Sequence, residues 1–198
     1  MDNILSALSN YKNLLNYNYN FVIACSKQTD NVKLTFEKKD FYHLVGFQYL
    51  TDIDIPKNEK QLFEKIASLR ISDEYLGKSI FYTKVNSSHA NVKERIEGFK
   101  DVDRFIENKN IVCKYIKNKN PSSVIEADYL IKSTIYNRTV YMFLRKRNKR
   151  DDYCMCSFFM QPKSDYYGLK AYWLYKAKEC ILDNSIEILL DRISESSE

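Results

Sequence analysis

The chain has 198 residues, 44% of them hydrophobic and 14% aromatic, which is enough to fill the core of one domain. Its formal net charge of +5 permits a polyanionic partner such as nucleic acid, but the charge is too small to demand one. No apolar run approaches the roughly 20 residues that span a bilayer, and the first residues lack the basic and apolar regions of a signal peptide, so we expect a cytoplasmic protein.

Helical periodicity dominates the first half of the chain. Apolar residues at helical spacing predict an opening amphipathic helix over residues 2–16, and alternation then predicts a β-hairpin over residues 19–37. Further helices are expected around residues 62–69, 72–76 and 90–107. This half is therefore predicted to be mainly helical.

The last third changes from helical spacing to alternation, which is typical of strands. The predicted strands are Ile111–Ile116, Val124–Ile131, Arg138–Arg145, Tyr153–Met160 and Ala171–Lys178. Short polar turns between them favour an antiparallel meander. We therefore predict an α+β fold in which N-terminal helices and a hairpin pack on a C-terminal antiparallel sheet.

We expect a single domain that spans residues 1–198. A leading helix would occupy residues 1–17, a core residues 18–180, and a C-terminal helix with a tail residues 181–198. No internal repeat or low-complexity linker marks a boundary between two domains.

Residues 40–50 form the least ordinary segment. Asp40 is a good N-cap for a helix through these residues, in which Gly46 would stand in the middle at a cost of about 1 kcal/mol relative to alanine. His43 lies within one turn of both Gly46 and the helix N-terminus, where free N–H groups favour an anion. Two interpretations stay open. Either His43 faces a phosphate and Gly46 is a structural residue of that site, or His43 is an ordinary partly buried histidine and Gly46 a helix-packing contact.

Two predicted strands could combine polar side chains on one face. Alternation places Tyr141 and Arg145 on the same side of one strand. On the next strand, Ser157 points to the side opposite to Cys154 and Cys156. If the Ser157 side adjoins the Tyr141 side, a hydroxyl, a phenol and a guanidinium converge; otherwise these are half-exposed strand residues.

A basic turn joins those two strands. Its cations are Arg145, Lys146, Arg147, Lys149 and Arg150. Their field would attract the backbone of RNA or DNA, and this attraction would weaken with salt. A charged turn is equally a common way to keep a hairpin soluble, so both interpretations stay open.

The sequence offers little for metal or cofactor chemistry. Cys154 and Cys156 have no second cysteine pair to complete a zinc site, and the histidines are limited to His43 and His89. The five cysteines are odd in number, which is typical of reduced thiols rather than of a disulfide framework. Glycine-rich phosphate loops and dinucleotide motifs are also missing, so we expect neither a metal nor a cofactor.

The order of several short motifs resembles one group of nucleases. The motifs are Asp40-Phe41-Tyr42-His43-Leu44-Val45-Gly46, Arg95-Ile96, Ile125-Glu126-Ala127-Asp128-Tyr129-Leu130 and Ser157-Phe158-Phe159. Over residues 18–180 the chain resembles the fourth of the phage-associated nuclease-like families grouped with barnase, EndoU, colicin and RelE ribonucleases. The resemblance implies an α+β fold with helices before an antiparallel sheet, and a metal-independent ribonuclease role.

Such cleavage needs a base for the 2′-hydroxyl proton, an acid for the leaving 5′-oxygen, and donors that hold the phosphorane charge. The motif matches point to His43 as base or acid and to Arg95 as a phosphate ligand. By their chemistry alone, Tyr141 would donate a proton, Arg145 would hold phosphate and Ser157 would hydrogen-bond a phosphate oxygen.

The leading hypothesis is therefore an endoribonuclease that cleaves RNA by 2′-hydroxyl attack and acts as a toxin or as an effector in conflict between phages and bacteria. RNA would be its partner, together with an antitoxin or immunity protein. The competing hypothesis is a non-catalytic RNA- or protein-binding module of the same fold, such as an inhibitor of a host or defence protein.

Overall fold

The computed structural model describes residues 2–84, 91–135, 138–161 and 166–194. This described part contains six α-helices: α1 Asn3–Leu14, α2 Asp40–Leu44, α3 Glu59–Ala67, α4 Asp73–Leu76, α5 Val92–Phe99 and α6 Val102–Glu107. It contains eight strands: β1 Tyr17–Cys25, β2 Gln28–Leu34, β3 Ile111–Tyr115, β4 Tyr129–Ile135, β5 Arg138–Lys146, β6 Asp152–Gln161, β7 Gly168–Cys180 and β8 Ile186–Asp191. Short 3₁₀ helices lie at Phe47–Tyr49 and Lys117–Lys119. No helix of the described part is long and apolar enough to cross a membrane.

Two predicted helices from residue 90 onward differ from the structure. The helix expected over residues 90–107 is divided into α5 and α6, because the chain leaves helical geometry at Asp101, with φ −115° and ψ 20°. The segment 181–193, expected to be helical, instead contains β8, which pairs with β7 from Tyr175↔Asp191 to Glu179↔Ile186. The predicted C-terminal helix is therefore wrong.

The strands form one sheet, seven of whose strands close into a ring. The hydrogen-bonded order is β1-β2-β6-β5-β4-β3-β7, and β7 also pairs with β1, while β8 lies outside the ring beside β7. The β2–β6 pair is parallel, through Lys33↔Asp152 and Leu34↔Tyr153. The fold is thus a closed, mixed seven-stranded barrel with a few helices, and the predicted α+β packing of helices on an antiparallel sheet is wrong.

The N-terminal hairpin closes the ring. Its first strand, β1, pairs with β7 from Tyr17↔Cys180 to Cys25↔Ala171. Just after β2, the main-chain N–H of Thr35 donates to the oxygen of Tyr153 at 2.9 Å. The hairpin therefore bridges the two ends of the C-terminal strand set. Alternation identifies each strand but does not say which distant strand lies beside it, so this closure could not be inferred.

The two faces of the sheet have different neighbours. Along β5, Val140, Met142 and Leu144 join the main hydrophobic core, to which the helices also contribute, whereas Tyr141 and Phe143 join a smaller aromatic cluster. The main core anchors α2 and α5 through four buried residues: Phe41, Leu44, Ile96 and Phe99. These two helices carry the residues that the motifs had singled out.

Candidate functional site

A cleft of about 340 Å³ lies where α2 and α5 meet the neighbouring parts of β5 and β6. Four residues chosen from the sequence line it: His43, Arg95, Arg145 and Ser157. They come from α2, α5, β5 and β6, so the cleft exists only because the fold brings these elements together. Tyr49 and Ile125 also line the cleft, so its surface contains both polar and apolar side chains.

His43 lies at the rim of the cleft and is exposed. α2 has five residues and does not extend through residues 40–50 as predicted. Asp40 is its first residue rather than its N-cap, and the carboxylate accepts hydrogen bonds from the main-chain N–H of Glu37 at 3.1 Å and from Arg147 at 2.5 Å. The expected position of Gly46 inside a helix is also wrong, because this glycine follows α2 with φ +86°.

Gly46 leaves room for Arg95. Its φ of +86° lies in the left-handed region, which residues with a Cβ adopt only with strain. A Cβ added here would stand 3.0 Å from Cδ and 3.3 Å from Nε of Arg95. The main chain of this turn therefore lies so close to the arginine side chain that a Cβ would not fit between them without movement.

Arg95 is a buried cation. Only 2% of it is exposed, and its Nε has no hydrogen-bond partner among the described residues. The rings of Tyr49 and Phe159 lie 5.4 and 5.7 Å from Cζ, and within the described residues no carboxylate pairs with the guanidinium. Burial lowers the pKa of Arg95, while Tyr49 and Tyr166 act in the opposite direction; an arginine stays charged at neutral pH. A buried charge of this kind is unfavourable unless an anion pairs with it.

A β-bulge shapes the opposite wall of the cleft. The pairs Phe143↔Ser157 and Leu144↔Met155 leave Cys156 without a partner in β5. As a result, the four consecutive residues 154–157 all line the cleft, which strict alternation would not allow. The predicted division of this strand into one cysteine side and one serine side therefore does not hold at the cleft.

The cleft thiols are not poised as nucleophiles. Burial raises the pKa of Cys154, and it raises the pKa of Cys156 to about 12, although Arg145 acts in the opposite direction. Both are therefore neutral thiols near pH 7. Among the described residues, no three histidine, cysteine, aspartate or glutamate side chains cluster as metal ligands. His89 lies outside the described residues.

Tyr141 does not line the cleft. It is fully buried in the second aromatic cluster, where its ring centroid lies 5.2 Å from that of Tyr166 and 5.5 Å from that of Phe159. Phe159 also contacts Arg95, so the ring of Phe159 connects Tyr141 to the buried cation. The face on which alternation placed Tyr141 is covered, which the sequence did not indicate.

The basic turn is largely paired with acids. The side chain of Arg147 is only 8% exposed and binds Asp40, and Arg150 binds Asp152 and Glu37. Lys146 lies 3.0 Å from the carboxylate of an exposed aspartate, Asp151. The remaining two cations, Arg145 and Lys149, are exposed, and Arg145 lines the cleft. The turn is therefore less cationic than its sequence suggests.

Sequence reasoning missed three polar residues of the cleft: Gln48, Tyr49 and Glu126. Gln48 donates from Nε2 to the main-chain oxygen of His43 at 3.4 Å, while its Oε1 is buried and has no hydrogen-bond partner within the described ranges. In the sequence it only shares the helical spacing of its apolar neighbours. No local signal distinguishes such a glutamine from an exposed one.

Comparison with known proteins adds one match. A family model described as phage-Barnase-EndoU-ColicinE5/D-RelE like nuclease4 matches residues 3–190. No curated protein and no solved structure matches the chain. The match includes both arginines that line the cleft, Arg95 in α5 and Arg145 in β5.

Proposed function

Because the chain belongs to the phage-Barnase-EndoU-ColicinE5/D-RelE like nuclease4 family of phage-associated, nuclease-like domains, we propose that it is a ribonuclease that cleaves RNA in the cleft around Arg95. The family resemblance carried by the motifs is confirmed. The observation that carries the proposal is the buried guanidinium of Arg95, whose Nε has no hydrogen-bond partner in the part of the chain that the structure describes.

A phosphodiester supplies what Arg95 lacks. Its non-bridging oxygens are anionic acceptors, and a guanidinium binds them with directional hydrogen bonds. Arg145 lines the same cleft and adds a second cation, and the hydroxyl of Ser157 adds a donor. Donors fixed by the fold stabilise the extra charge of the phosphorane without reorganisation, which is the main electrostatic contribution to such reactions.

His43 is the proton-transfer group in this proposal. It lines the cleft at the exposed rim, where a ribose can reach it, and histidine is the side chain that most often serves as a general base. The imidazole takes the proton of the 2′-hydroxyl, the 2′-oxygen bonds to phosphorus, and the bond to the 5′-oxygen breaks. Water gives the leaving oxygen its proton, and the hydroxide that remains takes the proton back from the imidazolium. One product carries a 2′,3′-cyclic phosphate, and the other ends in a 5′-hydroxyl.

The test is cleavage of end-labelled RNA by purified protein in EDTA. We expect fragments with 2′,3′-cyclic phosphate ends. Arg95→Lys, which keeps the charge but loses the planar fork, should lower the rate by about 100- to 1,000-fold. The matched control is Arg104→Lys, because the Arg104 side chain is 72% exposed and does not line the cleft, so cleavage should be unchanged.

Two outcomes would contradict the proposal. Intact RNA that binds wild-type protein but not Arg95→Lys would favour the non-catalytic RNA-binding module. Equal cleavage by wild type and Arg95→Lys would place the reaction outside this cleft.

A toxin role is part of the same proposal. Expression of the wild-type chain in a bacterium should stop growth as the bacterial RNA is degraded. Arg95→Lys expressed at the same level should leave growth unchanged. Growth arrest by both proteins would separate toxicity from the cleft.

A further inference from the structure

The guanidinium of Arg147 joins three separate parts of the fold. It donates to Oδ2 of Asp40 in α2 at 2.5 Å and to the main-chain oxygen of Thr35 after β2 at 3.3 Å. Its Nε also lies 3.5 Å from the carboxylate of Asp152 in β6. Because only 8% of the Arg147 side chain is exposed, its N–H groups bind other parts of the protein rather than solvent.

α2 depends on such contacts for its position. It has five residues and no side-chain cap at its N-terminus, so it is too short to be stable alone. Phe41 and Leu44 bury its apolar side, but apolar contacts are non-directional and permit small rotations. The paired bonds from Nη2 and Nη1 of Arg147 to Oδ2 and Oδ1 of Asp40, at 2.5 and 3.4 Å, are directional.

Asp40 links this contact to the cleft. It stands three positions before His43, on the same side of the helix, and both residues line the cleft. By binding Asp40, Arg147 therefore fixes the orientation of α2 in which His43 lies at the rim of the cleft.

We propose that Arg147 is a positioning residue, which holds His43 at the cleft through Asp40. The inference rests on the proposed function, because the proton transfer by His43 is itself a proposal. It gives Arg147 a role other than direct RNA contact, which was one of the two interpretations of the basic turn. A displacement of about 1 Å in a reacting group can lower a rate about 100-fold, so a modest tilt of α2 has a measurable effect.

The matched substitutions are Arg147→Lys and Arg150→Lys. Both arginines bind Asp152, but of the two only Arg147 binds Asp40. In steady-state cleavage we expect Arg147→Lys to lower kcat about 10- to 100-fold, with KM and the RNA dissociation constant unchanged within about twofold. Arg150→Lys should keep the wild-type kcat. A raised KM at unchanged kcat for Arg147→Lys would indicate direct RNA contact and overturn the proposal.

A double substitution tests whether Arg147 acts through His43. In the His43→Gln background, Arg147→Lys should cause no further loss, because the group that it positions is already removed. A full further loss of 10- to 100-fold, roughly that of Arg147→Lys alone, would overturn the proposal. If Arg147→Lys does not fold, Asp40→Asn weakens the same contact from the other side at nearly constant volume and takes its place.

A spectrum decides the question without cleavage. The chain has two histidines, so His43→Gln assigns the ring signals of His43 by NMR. We expect Arg147→Lys to shift these signals and Arg150→Lys to leave them in place, with the signals of the barrel core unchanged in both. If wild-type protein does not cleave RNA, the proposed function fails while this measurement still applies. Unshifted His43 signals in Arg147→Lys would overturn the positioning role.

Discussion

Replacing Gly46 by alanine tests whether the turn after α2 creates the space that Arg95 occupies. An L-residue at φ +86° loses about 1–2 kcal/mol relative to the ordinary regions. Alanine also lowers the conformational entropy of the unfolded chain, and this stabilises the folded state by roughly 0.4–1 kcal/mol and offsets part of the loss. The net decrease in the free energy of unfolding is about 1 kcal/mol, which for a chain of this size lowers Tm by about 2–4 °C.

The larger effect should be on the cleft. The new Cβ would stand 3.0 Å from Cδ of Arg95 and 3.3 Å from its Nε, so the arginine must move by a few tenths of an ångström. Because the guanidinium is the proposed phosphate ligand, we expect cleavage to fall by about tenfold or more. A loss of about 1 kcal/mol hardly changes the folded fraction of a protein with ordinary stability, so unfolding does not explain such a decrease.

Circular dichroism during heating and cleavage of labelled RNA at 25 °C, on the same samples, measure the two effects. Gly77→Ala is the control, because Gly77 has φ −63° and does not line the cleft. Its added Cβ would meet the main-chain oxygens of Asp73 and Glu74 at 3.3 and 3.4 Å. We expect its cleavage to equal that of the wild type. A Gly46→Ala protein with wild-type Tm and wild-type cleavage would refute this account of the turn.

Three further predictions concern the same region. His43→Gln should keep Tm, because the residue is exposed, while cleavage falls by about two to four orders of magnitude; wild-type cleavage by the folded variant would remove His43 from the chemistry. Arg147→Met should lower the free energy of unfolding by about 3–5 kcal/mol in urea titrations, because it leaves the partly buried Asp40 unpaired, whereas Lys149→Gln should change it by less than about 0.5 kcal/mol. Acid should destabilise the protein: burial raises the pKa of Asp152, but hydrogen bonds from Thr35 and Arg150 outweigh it and hold this pKa below its usual value. The resulting stabilisation is present above the ordinary aspartate pKa of about 3.9 and is lost as the pH falls through the lower folded value, so Asp152→Asn should flatten the fall of Tm between about pH 5 and pH 2.

Periodicity in the sequence was sufficient for features that depend on neighbouring residues. The hairpin at residues 19–37 forms as β1 and β2, and the alternation of Val140 and Met142 with Tyr141 correctly separates the two faces of β5. The short motif from Asp40 to Gly46, with Arg95, pointed to the family that the family comparison confirms. A repeat of two or 3.6 residues reports which side of an element is apolar, and this is a local property.

Features that depend on distant partners were decided only by the tertiary structure. The sequence could not show that β1 pairs with β7, or that Arg147 binds Asp40, which lies 107 positions earlier in the chain. The bulge at Cys156 likewise requires the partner strand β5, and Tyr141 is covered by the ring of Tyr166 from beyond β6. The reason is that alternation and charge specify the kind of surface that a residue presents. Which distant surface covers it depends on how the whole chain closes, and here a hairpin at the N-terminus closes the barrel.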